Sequence, residues 1–179
     1  MPAKQHTILI VDDEPDVLFS LTGLLRREFN IHTAESGIAA LEIMRNHHVD
    51  VIMTDQRMPS MTGIELMKRV RNEHPESIRI IFTGYADTRA VVDAINSGEL
   101  YRYISKPWDP DDLIQMLREA ATKHDELVAQ VALLRGLSPY LDDAEQVASA
   151  AAEMLAAEQL QRFRSQTAHL RDLLARLGT

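Results

Sequence analysis

The sequence predicts an α/β fold, a doubly wound parallel sheet of five strands in the order 2-1-3-4-5. Two observations predict the parallel sheet, and the order 2-1-3-4-5 is the one that would bring the ends of strands 1, 3, 4 and 5 together at one edge. Short apolar runs rich in Val, Ile and Tyr alternate with longer amphipathic stretches through the first 125 residues. Each strand-like run is followed by a helix-like stretch before the next run begins, which is typical of parallel strands joined by crossover helices.

The strands are predicted from apolar runs that are too short for helices. Runs of four to six apolar or β-branched residues fit strands that are buried in a sheet. The predicted strands are residues 7–11, 31–34, 51–54, 78–82 and 101–104.

The connecting helices are predicted from apolar residues at helical spacing. Ser36 is a good N-cap for the second of them, and Gly98 is a good stop for the fourth. The predicted helices are residues 16–28, 38–45, 63–72 and 87–96.

The last helix is predicted to extend beyond a compact domain, because its apolar positions continue at heptad spacing. Gly136–Pro139 is predicted to break this helix, and a second, C-terminal helix is predicted from about Asp142 to Leu177. The heptad positions are Leu113, Leu117, Ala120, His124, Leu127, Val131 and Leu134.

This pattern divides the chain into a domain at residues 1–122 and a helical extension at 123–179. An apolar helical stripe needs a partner. Residues 113–135 could pair with a second copy in a homodimer, or residues 142–177 could fold back on them as a helical hairpin. Both could hold together, and the alternative is a signalling helix leading to an output domain.

Composition excludes several classes of function. The formal net charge is −8, and the extension is itself slightly acidic, so we expect no direct nucleic-acid binding. The absence of cysteine excludes disulfides and thiolate chemistry. No apolar run approaches a membrane span or a signal-peptide core, so we expect no membrane association and a cytoplasmic location.

Polar residues follow four of the predicted strands. Asp12 and Asp13 follow the first strand, and Asp55 ends the third. Thr83 ends the fourth strand and Lys106 follows the fifth. Because ligands bind beyond the carboxyl ends of strands in such sheets, these residues are expected to form one site.

This set of residues has a chemical logic. Clustered carboxylates repel one another, and Mg²⁺ bound through oxygen relieves the repulsion. An ionised carboxylate such as Asp55 can act as a nucleophile and form an acyl phosphate without a general base. A metal, a lysine and a hydroxyl can stabilise the charge of the transferred phosphoryl group. Each residue alone could be a helix cap or a surface charge, so the combination carries the prediction.

Residues 7–120 resemble the receiver domain of two-component response regulators, which has a flavodoxin-like fold. The resemblance rests on residues 8–15 (ILIVDDEP), 55–63 (DQRMPSMTG), 83–86 (TGYA) and 103–107 (YISKP). It implies that Asp55 is the phosphoacceptor. It also implies that Asp13 and Asp55 ligate Mg²⁺ directly with the backbone carbonyl of Arg57, and that Asp12 acts through water.

The resemblance implies further roles for three residues. Thr83 and Lys106 would stabilise the phosphoryl group, with a cis peptide bond between Lys106 and Pro107. Tyr103 would be an aromatic switch that moves together with Thr83; the alternative is a half-buried strand residue.

The implied function is a response regulator, not an enzyme. A sensor histidine kinase would phosphorylate Asp55 in a Mg²⁺-dependent reaction, and the conformational switch would control dimerisation or the binding of an unknown protein target. One alternative is a scaffold that works without phosphorylation. Another is a Mg²⁺-dependent phosphohydrolase, which is disfavoured because such enzymes carry Asp-x-Asp after the first strand.

The histidines are scattered along the sequence and predict no metal site. His47 and His48 are adjacent, whereas His124 falls on the heptad seam, where a polar residue can set the register.

Overall fold

The structure is a computed structural model that describes residues 6–84, 88–96, 98–150 and 157–177. The chain divides into two compact units, Met1–Asp125 and Glu126–Thr179. The first contains the sheet and is called the receiver unit below. The second contains only helix in its described part and is called the helical unit.

The receiver unit is built on a parallel sheet with the strand order β2-β1-β3-β4-β5, as the sequence predicts. The apolar runs form strands because the central ones are buried on both faces: Ile8–Val11 and Val51–Ile52 are fully inaccessible. The strands are β1 (Thr7–Val11), β2 (Asn30–Ala34), β3 (Val51–Asp55), β4 (Ile78–Thr83) and β5 (Arg102–Ser105).

Helices alternate with these strands and cover both faces of the sheet. Ser36 caps the second helix by accepting a hydrogen bond from the Ala39 N–H at 3.3 Å, so the predicted cap is confirmed. The predicted start of the fourth helix at Asp87 lies outside the described residues. The helices are α1 (Pro15–Leu25), α2 (Gly37–Asn46), α3 (Gly63–Glu73), α4 (Thr88–Asn96), α5 (Pro110–Ala150) and α6 (Ala157–Leu177).

The hydrophobic core lies on both sides of the sheet. On one side, alternate residues of β1 and β3 such as Leu9 and Ile52 pack in a cluster with Leu41 of α2 and Met67 of α3. On the other side, Met53 lies with Phe82, with Leu21 of α1 and with Leu113 of α5. Burying both faces anchors the central strands, so the residues at their carboxyl ends stand on rigid elements.

The predicted break at Gly136–Pro139 is wrong. Helix α5 continues through Pro139 to Ala150, and the next described helix starts at Ala157, not near Asp142; residues 151–156 lie outside the described part. Proline removes one backbone hydrogen bond from a helix. Tertiary packing offsets this loss, because Leu134, Ser138 and Leu141 remain half-buried on either side of it.

The residues of the predicted heptad seam are buried in two different units. Its first positions, Leu113, Leu117, Ala120 and His124, are buried inside the receiver unit. They are therefore part of that unit's core and cannot form a seam with a second copy. The later positions Leu127, Val131 and Leu134 belong to the helical unit and are half-buried there.

Within the helical unit, the end of α5 and α6 run antiparallel. Arg171 forms ion pairs with Asp142 and Glu145, and the guanidinium of Arg164 lies 3.4 Å from the Ser149 hydroxyl. Residues earlier in α6 thus meet residues later in α5. No helix within the described ranges is long and apolar enough to cross a membrane.

The chain turns tightly between β3 and α3 and requires glycine at position 63. A Cβ on Gly63 would lie 2.4 Å from the Asp55 carbonyl oxygen and 3.1 Å from the Gln56 Cα. The Gly63 N–H also donates a hydrogen bond to the Gln56 carbonyl at 3.0 Å. Backbone atoms cannot move aside as a flexible side chain can, so any other residue must displace the end of β3.

We predict that Gly63→Ala destabilises the receiver unit by about 1–3 kcal/mol, the cost of inserting a methyl group into a tightly packed site. Urea unfolding followed by the fluorescence of Trp108, the single tryptophan, measures this change. Gly23→Ala is the control: apart from its chain neighbours and the backbone of its own helix, no described atom lies within 4 Å of its Cβ position in α1, so it should be neutral or stabilising. Equal unfolding midpoints for Gly63→Ala and the wild type would contradict the prediction.

Candidate functional site

The predicted site residues lie together at the carboxyl edge of the sheet. Asp12 follows β1, Asp55 ends β3 and Thr83 ends β4, whereas Lys106 follows β5 directly. The strands end in register, since Asp55 pairs with Phe82 and Thr83 with Ser105. The strand order brings residues that are far apart in the sequence to one edge.

The side chain of Lys106 connects the two buried carboxylates. Its Nζ lies 2.6 Å from Asp55 Oδ1 and 3.4 Å from Asp12 Oδ2. The same ammonium stands 4.7 Å from the centroid of the Phe82 ring. One cation thus attracts two carboxylates and offsets part of their negative charge in a partly buried place, where charge interactions are strong.

Burial and charge act in opposite directions on these groups. Burial raises the pKa of Asp12, which is 1% exposed, although the Glu14 N–H and Lys106 partly counter it. Burial also acts to lower the pKa of Lys106, but its hydrogen bond to Asp55 and the charges of Asp55 and Asp12 outweigh burial, so the pKa is raised. Lys106 therefore stays protonated, whereas ionising the Asp12 carboxyl group costs free energy in the folded state.

Asp55 is held by two donors. Its Oδ2 accepts a hydrogen bond of 2.5 Å from the Arg57 N–H, and its Oδ1 accepts one from Lys106. The carboxylate is 8% exposed, so only a small part of it faces solvent. This arrangement fixes the plane of the carboxylate at the strand end.

The oxygen donors at this edge fit a hard divalent cation. Asp12 and Asp55 supply buried carboxylates on neighbouring strands, and Asp13 supplies an exposed one beside them. Mg²⁺ favours a few carboxylates, and keeps several waters. The structure brings Asp12 and Asp55 together around Lys106. Direct ligation of Mg²⁺ by Asp13, Asp55 and the Arg57 carbonyl, and ligation by Asp12 through water, stay predictions.

The two predicted switch residues differ in exposure. Thr83 is buried, and its hydroxyl donates to the Gly84 carbonyl at 3.3 Å. Tyr103 on β5 is 36% exposed. The Thr83 carbonyl accepts from the Lys106 N–H at 2.8 Å, and the predicted cis bond between Lys106 and Pro107 is confirmed.

Sequence analysis missed the role of Gln56. Its side-chain oxygen accepts the Ile64 N–H at 3.1 Å and so caps the first turn of α3, while its backbone carbonyl accepts from Gly63. Gln56 is 8% exposed and holds the loop that carries Asp55. A polar residue directly after a buried strand was the available indication, but a glutamine there is as compatible with an exposed loop.

The fold and the polar residues at its strand ends are those of a receiver domain of the two-component type. The chain belongs to the response regulator receiver domain family, whose model it matches over residues 8–118. It is 42% identical over 120 residues to the hydrogenase transcriptional regulatory protein HoxA of Cupriavidus necator, covering 67% of this chain and 25% of that protein.

Two further proteins are similar to this chain over about the same residues. The DNA-binding transcriptional regulator NtrC of Escherichia coli is 31% identical over 124 residues, covering 69% of this chain and 26% of the relative. The structure of the response regulator TrrA from Thermotoga maritima, in complex with Mg²⁺ and BeF, matches with a TM-score of 0.59 and 27% identity, over 65% of this chain and 99% of that one.

The chain spans about a quarter of the length of the curated relatives that it matches. Because these relatives are named as transcriptional regulators, and one as DNA-binding, the expectation of no nucleic-acid binding is not supported by the comparisons. The acidic composition argues against nucleic-acid binding by this chain alone.

We predict that Asp12→Asn stabilises the receiver unit at neutral pH in Mg²⁺-free buffer. Because the pKa of Asp12 is raised in the folded state, ionising this carboxyl group costs more free energy in the folded chain than in the unfolded chain. The wild type therefore loses stability as the pH rises from the ordinary carboxyl pKa through the raised pKa of the folded state. The gain should therefore vanish in acid, where both states are protonated. Urea unfolding at neutral and acidic pH measures it.

Asp13→Asn is the matched control, because Asp13 is the exposed neighbour of Asp12 and should change stability little. A loss of stability in Asp12→Asn at neutral pH would show that the ion pair with Lys106 outweighs the cost of burial.

Proposed function

We propose that this chain is a response regulator whose Asp55 accepts a phosphoryl group from a sensor histidine kinase in a Mg²⁺-dependent reaction. The observation that carries the proposal is the contact of Lys106 with both Asp55 and Asp12 at the strand ends of a receiver-family domain. A cytoplasmic location belongs to the same proposal, since the kinase draws its phosphoryl group from ATP.

The transfer needs no proton acceptor. An Asp55 carboxylate oxygen forms the new P–O bond while the P–N bond to the kinase histidine breaks and its electron pair returns to the imidazole. The Arg57 N–H donates to Oδ2, and Lys106, which contacts Oδ1, would pair with an incoming phosphoryl oxygen. Bound Mg²⁺, held by Asp12, Asp13, Asp55 and the Arg57 carbonyl, would neutralise charge on the phosphoryl oxygens.

The response would start at Thr83. Within the described residues its hydroxyl donates to the Gly84 carbonyl at 3.3 Å, a long hydrogen bond that a phosphoryl oxygen can replace. Movement of Thr83 would leave room for the half-exposed Tyr103 ring on the neighbouring strand. The surface formed by α4, β5 and α5 then changes, and α5 continues beyond the receiver unit.

We predict that the wild type gains the mass of one phosphoryl group when incubated with acetyl phosphate and Mg²⁺, and that Asp55→Asn does not. Intact-mass spectrometry measures the gain. Asp16→Asn, an exposed carboxylate in the first turn of α1, should behave as the wild type. If no phosphoryl group is gained while another receiver protein responds under the same conditions, the scaffold function without phosphorylation would replace this proposal.

A phosphohydrolase would instead hydrolyse acetyl phosphate to acetate and inorganic phosphate with many turnovers in the same assay. The proposal of a signalling protein and not an enzyme is supported by the position of the nucleophile, because Asp55 ends β3 and no Asp-x-Asp follows β1.

We further propose that the helical unit mediates homodimerisation. Besides the half-buried face that α5 turns toward α6, α5 carries a second apolar stripe with heptad-related spacing. These side chains are 45–72% exposed and would be covered by a second copy. They are Leu133, Leu137, Tyr140 and Val147.

We predict a solution mass of twice the 20.2 kDa chain mass for the wild type activated with beryllofluoride, measured by light scattering after size exclusion. The double variant Leu133→Glu with Val147→Glu should be monomeric, because it places charges in the covered stripe. Gln146→Glu, an exposed neighbour on the same helix, is the charge control. A monomeric activated wild type would direct the output to a different protein target.

A further inference from the structure

A second cluster of polar side chains lies at the opposite edge of the sheet. It consists of His48, of Asp50 just before β3, and of His124 on α5, and is called the histidine cluster. One ligand atom from each residue lies within 4.8 Å of the others. Asp50 and Asp55 stand at opposite ends of β3, about 17 Å apart at a rise of about 3.3 Å per residue, so the cluster is separate from the phosphoacceptor site.

His124 is the unusual member of the cluster. It is 4% exposed, and neither ring nitrogen has a hydrogen-bond partner among the residues that the structure describes. Its Nδ1 lies 3.5 Å from Asp50 Oδ1, in a geometry that does not make a hydrogen bond. Burying polar atoms without partners costs free energy, and a ligand bound to a ring nitrogen would offset this cost. Burial also lowers the pKa of His124, which keeps the ring neutral and its lone pair available.

Asp50 is oriented toward the two histidines. Its Oδ2 accepts the Thr7 N–H at 2.8 Å, which leaves Oδ1 facing them. That same Oδ1 lies 3.0 Å from His48 Nε2. Side chains that bind metal ions are usually oriented by a second hydrogen bond. The hydrogen bond from the Thr7 N–H to Asp50 is of this kind.

We propose that His48, Asp50 and His124 form a binding site for a divalent transition-metal ion of the Zn²⁺ class. Two imidazole nitrogens and one carboxylate favour such ions over Mg²⁺ or Ca²⁺, which prefer oxygen ligands alone. The His48 side chain is 66% exposed and opens the cluster to solvent. Water or Asp125, whose Oδ1 lies 3.7 Å from His124 Nδ1, can complete the coordination.

The ion would join two distant parts of the receiver unit. His124 lies on the last buried turn of α5, whereas His48 and Asp50 lie in the segment that leads into β3. Binding would therefore hold the α5 turn against the sheet and stabilise the folded unit by mass action.

The experiment measures Zn²⁺ affinity by competition with a chromophoric chelator, with Mg²⁺ in excess to occupy the carboxylates around Asp55. His48→Gln is the main variant, because its exposed side chain can change without disturbing the fold. His47→Gln is the matched control: it is the adjacent exposed histidine, stacked on His32 at 4.5 Å between ring centroids and outside the cluster. His124→Asn tests the buried ligand, with circular dichroism to verify folding.

The wild type should bind one Zn²⁺ and unfold at a higher temperature when Zn²⁺ is added. His48→Gln should bind at least about tenfold more weakly and lose the thermal shift, whereas His47→Gln should retain both. Equal affinities of the wild type and His48→Gln, or an absence of Zn²⁺ binding by the wild type, would overturn the proposal. Weakening by His47→Gln alone would also overturn it and would assign the ion to the His32–His47 pair.

Discussion

The ammonium of Lys106 between the carboxylates of Asp55 and Asp12 is the interaction on which the chemistry of the receiver unit depends. Without it, two buried negative charges would face one another at the end of the sheet. The interaction forms because β1 and β3 are neighbours in the sheet while Lys106 follows β5 at the same edge. The order of the strands, set by the crossover helices, therefore determines the charge balance of the site.

The loop after β3 shows how the fold maintains that geometry. Gly63 allows the start of α3 to approach the Asp55 carbonyl, and buried Gln56 binds the first turn of the helix. Thr62 and Glu65 complete the start of α3 with a reciprocal capping box. The N-terminus of α3 is thus tied to the end of β3, and the Asp55 carboxylate cannot shift without breaking these contacts. Rigid support of this kind permits the burial of a charge that is costly in itself.

Most of the fold and of the candidate site around Asp55 could be predicted from the sequence, because both follow from local patterns. Strands buried on both faces appear as continuous apolar runs, and the site residues directly follow them. The continuation of α5 through Pro139 could not be predicted, since packing along the half-buried face overrides a local helix breaker. Neither could the histidine cluster, since His48 and His124 are far apart in the sequence and meet only after α5 packs on the sheet.

Helix α5 also shows what a heptad pattern can and cannot determine. The same spacing places Leu117 and Ala120 in the core of the receiver unit, and Val131 and Leu134 on the half-buried face of the helical unit. Periodicity thus identifies the buried face but not its partner. His124 is the polar exception among the fully buried seam positions. A leucine there would avoid the cost of two ring nitrogens that have no hydrogen-bond partner in the described part of the chain. Binding of a metal ion by the ring would offset that cost. A role in setting the register of a coiled coil would not, because this position faces the sheet and not a second helix.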